Sequence, residues 1–118
     1  MPKLRLFALA AFLVTVACSG DSTGSPPPPT LAVSVLDNSF SPSNGALLSG
    51  GTVTWTWNGV LNHDIVFEDG ISNAAMKSSG THQRTFPTVT SSTTFRYRCT
   101  LHSTGFTAGM VGQIVVSS

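Results

Sequence analysis

From Leu31 onward, apolar and polar side chains alternate in short runs. Leu31, Val33 and Val35 alternate with Ala32 and Ser34, and Val53, Trp55 and Trp57 with Thr52, Thr54 and Thr56. Phe95, Tyr97 and Cys99 alternate with Thr94, Arg96 and Arg98. A period of two sends successive side chains to opposite faces of a strand. Ile65 to Phe67 is a short apolar run, Thr81 to Phe86 reads as a further strand, and Val111, Ile114 and Val116 close the chain around a break at Gly112. Clusters of Gly, Asn, Ser and Pro fall between these runs and mark turns. No stretch holds a helical period for ten residues; Ser72 to Lys77 is expected to form one turn of helix at most. The pattern predicts an all-β fold, a small antiparallel or mixed sandwich over residues 31–118.

The first thirty residues are different material. Lys3 and Arg5 precede a mostly apolar run from Leu6 to Ala17, twelve residues long. A membrane-spanning helix needs about 20 apolar residues, so this run reads as a signal peptide, residues 1–17. It ends in Val14-Thr15-Val16-Ala17-Cys18-Ser19, which resembles a bacterial lipobox, although Thr15 stands where a Leu is usual. Cys18 is the expected lipidation site, giving a membrane-anchored or periplasmic protein of a bacterial envelope. Residues 18–30 form a Ser/Gly-rich linker ending in Pro26 to Pro29, a segment expected to be extended and unpacked.

Composition narrows the functional classes. The 118 residues carry six Lys or Arg and five Asp or Glu, with 16 Ser and 15 Thr. The formal charge of +1 belongs to the signal: after Ala17 four basic residues face five acidic ones, a charge of −1. No basic excess remains to bind nucleic acid. Asp64, Glu68 and Asp69 form a small acidic group, read as a solvated turn that could steer a basic partner, and Arg96 and Arg98 as the outer face of a strand. No nucleophile elbow, phosphate-cradling glycine loop or His-Glu-x-x-His motif is present, and no enzyme activity is expected.

With Cys18 assigned to export, Cys99 is a lone thiol. Such a residue in an exported protein is an intermolecular pairing site, a reactive thiol or a metal ligand. Alternation places it on the inward face, which disfavours pairing. His102 follows three residues later, Met110 follows eight after that, and His63 lies upstream before an apolar strand. One thiolate, two imidazoles and a thioether suit copper, with the Met as a weak axial ligand. Imidazole and thiolate also bind zinc. His82 has no metal spacing and reads as a solvated strand residue.

The chain resembles the cupredoxins, small blue copper proteins such as plastocyanin. The resemblance rests on five segments in order. These are Phe40-Ser41-Pro42, Gly50-Gly51-Thr52-Val53-Thr54-Trp55, His63-Asp64-Ile65-Val66-Phe67, Tyr97-Arg98-Cys99-Thr100-Leu101-His102 and Gly109-Met110-Val111-Gly112. It implies a Greek-key β-sandwich holding one copper through His63, Cys99, His102 and Met110. It implies a monomer that passes single electrons to redox protein partners. Asp64 and Thr100, beside two of the ligands, are expected to link the ligand segments. Two features depart from the family: seven residues, Ser103 to Gly109, separate His102 from Met110, and Asp64 stands where Asn is common. The extra residues are expected to bulge outward. The edge of His102 is the expected electron port, ringed by Phe106 and Leu47. A copper delivery or storage module and a metal-free structural sandwich are the alternative functions.

Overall fold

The computed structural model describes residues 25–118. The signal segment, Cys18 and most of the linker lie outside the described residues. Nine strands follow in order: β1 (Thr30–Val35), β2 (Phe40–Ser41), β3 (Asn44–Leu48), β4 (Thr52–Trp57), β5 (His63–Phe67), β6 (Ala74–Lys77), β7 (Thr81–Thr85), β8 (Thr93–Ser103) and β9 (Gly109–Ser117). They form two sheets, in the orders β2-β1-β4-β7 and β3-β9-β8-β5-β6. Both sheets are mixed, since β1 runs parallel to β4 and β3 parallel to β9. The described residues are all-β, as the alternation predicts.

Inward residues from both sheets make one core. Trp55, Tyr97 and Phe67 are fully buried and meet edge to face or tilted, with ring centroids 5.4–5.5 Å apart. Such aromatic contacts add about 0.5–1.5 kcal/mol each beyond area burial. Tyr97 also packs on Phe40 at 4.7 Å, and burial pushes its phenol up to about 12. Opposite it on β9 stands Gly112, where a Cβ would strike the Tyr97 ring. That is the role of the glycine break seen in the sequence.

Three sequence expectations are corrected. Residues 72–77 form no helical turn: β6 pairs with β5, and Ser72 has a positive φ of 57°. The end of the Pro run is not free of the domain, because Leu48 N donates to Pro28 O and Thr52 N to Pro29 O. The acidic group is a solvated turn only in part, since Glu68 and Asp69 are exposed in the turn after β5. Asp64 is buried, Glu68 pairs with Arg96 and Asp69 with Arg84. Arg84 is a core residue at 4% exposure, its guanidinium lying over Phe67, Phe86 and Phe95 at 4.4–5.2 Å. His82 is half-buried and its Nε2 lies 2.6 Å from Ser72 O.

The Arg84–Asp69 pair gives a first prediction. Two hydrogen bonds, 2.6 and 3.1 Å long, hold the Asp69 carboxyl below its ordinary value. Breaking a buried pair costs about 3–5 kcal/mol. Asp69 is 31% exposed, so Asp69→Ala is expected to cost about 2 kcal/mol at neutral pH. A lowered carboxyl stabilises the fold above the ordinary carboxylate range and loses that effect as pH falls through its lowered value. Denaturant titrations should therefore show the variant and wild type converging in strong acid.

Candidate metal centre

The site sits at one end of the sandwich, where β5 begins, β8 ends and β9 begins. Val66 pairs with Arg98 and Phe67 with Tyr97 across β5 and β8, so His63 and the Cys99–His102 segment lie at the same end. The inward phase of β8 that buries Tyr97 also buries Cys99, at 0% exposure. His63 is likewise fully buried, whereas His102 is half-buried. Cys99 Sγ lies 3.6 Å from His63 Nδ1 and 3.5 Å from His102 Nδ1. The donor atoms of all three residues fall within 4.8 Å of one another.

The backbone around these residues is tied down. Trp57 Nε1 donates to His63 O at 3.1 Å. Asp64 accepts from Thr100 N at 2.7 Å and from Thr100 Oγ1 at 2.5 Å. These two bonds join the His63 segment to the Cys99 segment beside the thiol. Ser103 Oγ donates to Cys99 O at 2.6 Å. Such outer contacts fix the orientation of ligand side chains.

The long loop leaves this arrangement intact. Ser103 still pairs with Gly109, and Thr104 N donates to Ala108 O at 3.3 Å, so the extra residues form the tip of a hairpin. Gly109 has φ +89°, a left-handed turn that returns the chain into β9. Met110 follows at once and is 2% exposed. The register puts it between the Arg98–Val111 and Ser103–Gly109 pairs, on the strand beside Cys99.

One port residue is corrected. Leu47 is fully buried on β3, inside the core. Phe106 is half-buried beneath the Arg98 guanidinium, 5.3 Å away. Exposed apolar residues on the ligand-bearing segments are Val60 and Leu61, just before His63, and Leu101, between Cys99 and His102.

One contact is absent from the sequence reading. Asp37, in the turn after β1, places Oδ1 3.5 Å from His63 Nε2. The same oxygen accepts from Val60 N at 2.8 Å and Leu61 N at 3.0 Å. The Leu61 and Val60 amides hold this carboxyl below its ordinary value, with a smaller part from His63. No local motif announces it; only the meeting of two distant turns does.

The donor chemistry tests the choice of metal. A buried thiol between two imidazole nitrogens is a set of soft and intermediate donors that fits copper. Structural zinc takes four nitrogen, sulfur or carboxylate donors; here three such residues meet among the described residues. A single copper suits this set, and a sandwich that carries it at the β5–β8–β9 end has the form of a cupredoxin. The sequence pattern of copper binding proteins of the plastocyanin/azurin family matches residues 31–117, and the chain belongs to that family.

Solved structures agree on the fold. A purple cupredoxin from Nitrosopumilus maritimus is 20% identical, with a TM-score of 0.57 over 74% of this chain and 99% of that one. A reduced tryptophan-to-tyrosine mutant of amicyanin is 21% identical, with a TM-score of 0.61 over 75% and 83%. Auracyanin from Roseiflexus castenholzii is 18% identical, with a TM-score of 0.60 over 78% and 99%. A search of curated protein sequences finds no match.

Proposed function

We propose that this protein is a type 1 copper protein that carries single electrons in the cell envelope. The observation that carries the reading is the fully buried Cys99 thiol flanked by His63 Nδ1 and His102 Nδ1. When bound, copper supplies the one-electron couple between Cu(II) and Cu(I). His63, Cys99 and His102 would hold it, and the buried Met110 thioether would be a fourth, weaker donor. The chain's own contribution is rigidity. The Asp64–Thr100 bonds, the Trp57–His63 bond and the Ser103–Cys99 bond hold the donors so that little rearranges when charge changes.

Burial favours a carrier over a delivery or storage module. Handing over an ion requires donors a partner can reach, and His63 and Cys99 are both 0% exposed. A cleft of about 590 Å³ is lined by Glu68, Asp69, Phe95 and Arg96, and none of the three donors lines it. An electron carrier needs only an edge, and half-buried His102 beside exposed Leu101 offers one. The partner is a redox protein, and the signal segment, Cys18 and the linker support export and tethering. The experiment is voltammetry of the copper-loaded protein. A reversible one-electron wave is expected; copper binding without a reversible wave would favour storage.

Two further outcomes follow. Leu101→Glu places a charge on the port without touching a donor. It is expected to slow electron exchange with a small redox partner by about tenfold, the equivalent of 1.4 kcal/mol in the barrier, with the visible spectrum unchanged. An unaltered rate would move the port elsewhere. Asp64→Asn keeps an acceptor for Thr100 but removes a buried negative charge beside His63. A carboxylate there favours the more positive Cu(II), so the variant is expected to have the higher reduction potential. An equal or lower potential would contradict this.

A further inference from the structure

The ring of His63 has two nitrogens, and only Nδ1 faces the thiol. Its Nε2 is fully buried and has no well-formed hydrogen bond among the described residues. A buried polar atom left in this way is costly, on the order of 1–3 kcal/mol. The nearest charged group is the Asp37 carboxylate at 3.5 Å. Histidines that ligate metals usually give their second N–H to a carboxylate, a carbonyl or water, which fixes the tautomer and strengthens the donor. We propose that Asp37 is a positioning residue for the copper: its carboxylate takes the Nε2 proton of His63 in a hydrogen bond, aims the Nδ1 lone pair at the site and lowers the reduction potential. The inference rests on the copper reading above.

The carboxylate is placed rather than incidental. Val60 N and Leu61 N both donate to the oxygen that faces the imidazole. These residues belong to the turn that leads into His63, so the turn and the acid are built as one unit. Gly59 makes the fit possible, because a Cβ there would strike the Asp37 carboxylate. Asp37 is 36% exposed while the ring it faces is fully buried. The acid thus keeps water for part of its charge and presents the rest to a dry imidazole. The nearby cation does not compete. Lys77 pairs with His63 across β5 and β6, but its Nζ donates to Thr81 O at 2.6 Å and lies over the Trp57 ring at 4.4 Å. Trp57 Nε1 holds the His63 carbonyl, so backbone and ring are fixed by separate partners.

A negative charge beside a ligand ring favours Cu(II) over Cu(I). Asp37→Asn keeps an oxygen for the two amides and removes the charge; Asp37→Ala removes both. Voltammetry on the copper-loaded wild type and both variants reads the effect. The preference for Cu(II) over Cu(I) is expected to fall about tenfold in Asp37→Asn, an upward shift of about 59 mV. In the Cu(I) form, nitrogen-15 spectra should show a protonated His63 Nε2 that exchanges slowly in wild type and fast in Asp37→Ala. A role confined to the turn would move the melting temperature of Asp37→Ala but neither the potential of Asp37→Asn nor the ring tautomer. A wild-type potential in Asp37→Asn would overturn the proposal. Should neither variant fold, the wild-type spectrum decides: a rapidly exchanging or unprotonated Nε2 overturns the proposal. A wild type lacking the blue thiolate band would sink the copper reading and this inference with it. A blue wild type with an unmoved Asp37→Asn sinks this inference alone.

Discussion

Cys99→Ser is expected to abolish the intense thiolate-to-copper absorption and to weaken Cu(I) binding by more than about 100-fold. That figure is the upper range for losing a partner one step removed from the metal, and Cys99 is a donor. The side chain sits at 0% exposure between two imidazole nitrogens 3.5 and 3.6 Å away. A serine hydroxyl is nearly the same shape but stays protonated at neutral pH and is a hard donor, poorly matched to Cu(I). The fold should survive, because burying a hydroxyl costs about 1–3 kcal/mol. Visible spectroscopy and a competition assay for Cu(I) check the binding, and a thermal melt checks the fold. A variant that keeps the blue band would remove Cys99 from the site.

Gly112→Ala is expected to be the most destabilising of the small substitutions. Its new methyl group would meet the Tyr97 ring, which is itself 0% exposed and pinned against Phe40, Trp55 and Phe67. Neither side can yield cheaply: the glycine is strand backbone in register with Tyr97, and the ring is enclosed by other rings. Overpacking of this kind costs about 3 kcal/mol, and at 4–8 °C per kcal/mol the midpoint should fall by roughly 12–24 °C. Tyr97 stands two residues before Cys99 on the same face, so the copper spectrum should broaden as well. Adding Tyr97→Phe removes the hydroxyl from the collision and should recover part of the midpoint. A melt of Gly112→Ala within a few degrees of wild type would show that the ring can move aside.

Much of this molecule is legible in its sequence, for physical reasons that differ by region. β1, β4 and β8 announce themselves because each buries one face against the other sheet, so Trp55 and Trp57 alternate with Thr. The same alternation turns Cys99 inward, and the Cys-x-x-His spacing brings His102 back to it. β3 is silent. Its inward positions are Gly45 and Leu47, and Gly45 is small because the Leu31 side chain occupies the space its Cβ would take. That one substitution in the pattern hides the strand and makes Leu47 look like a loop residue. Arg84 is misleading in the opposite way. A charged side chain reads as solvent-facing, but three aromatic rings and Asp69 give it a buried position. Asp37 lies 26 residues before His63, and nothing local links them. Their contact exists because parallel pairing of β1 with β4 ends with Val35 beside Trp57, which delivers the two following turns to the same place.

The most direct test of the central claim is to add one equivalent of Cu(II) to the purified protein and record its visible and paramagnetic resonance spectra together. The structure predicts an intense blue thiolate band saturating at one copper per chain, with the narrow copper splitting of a thiolate-bound type 1 site. A weak ordinary Cu(II) spectrum, or no binding, would contradict it.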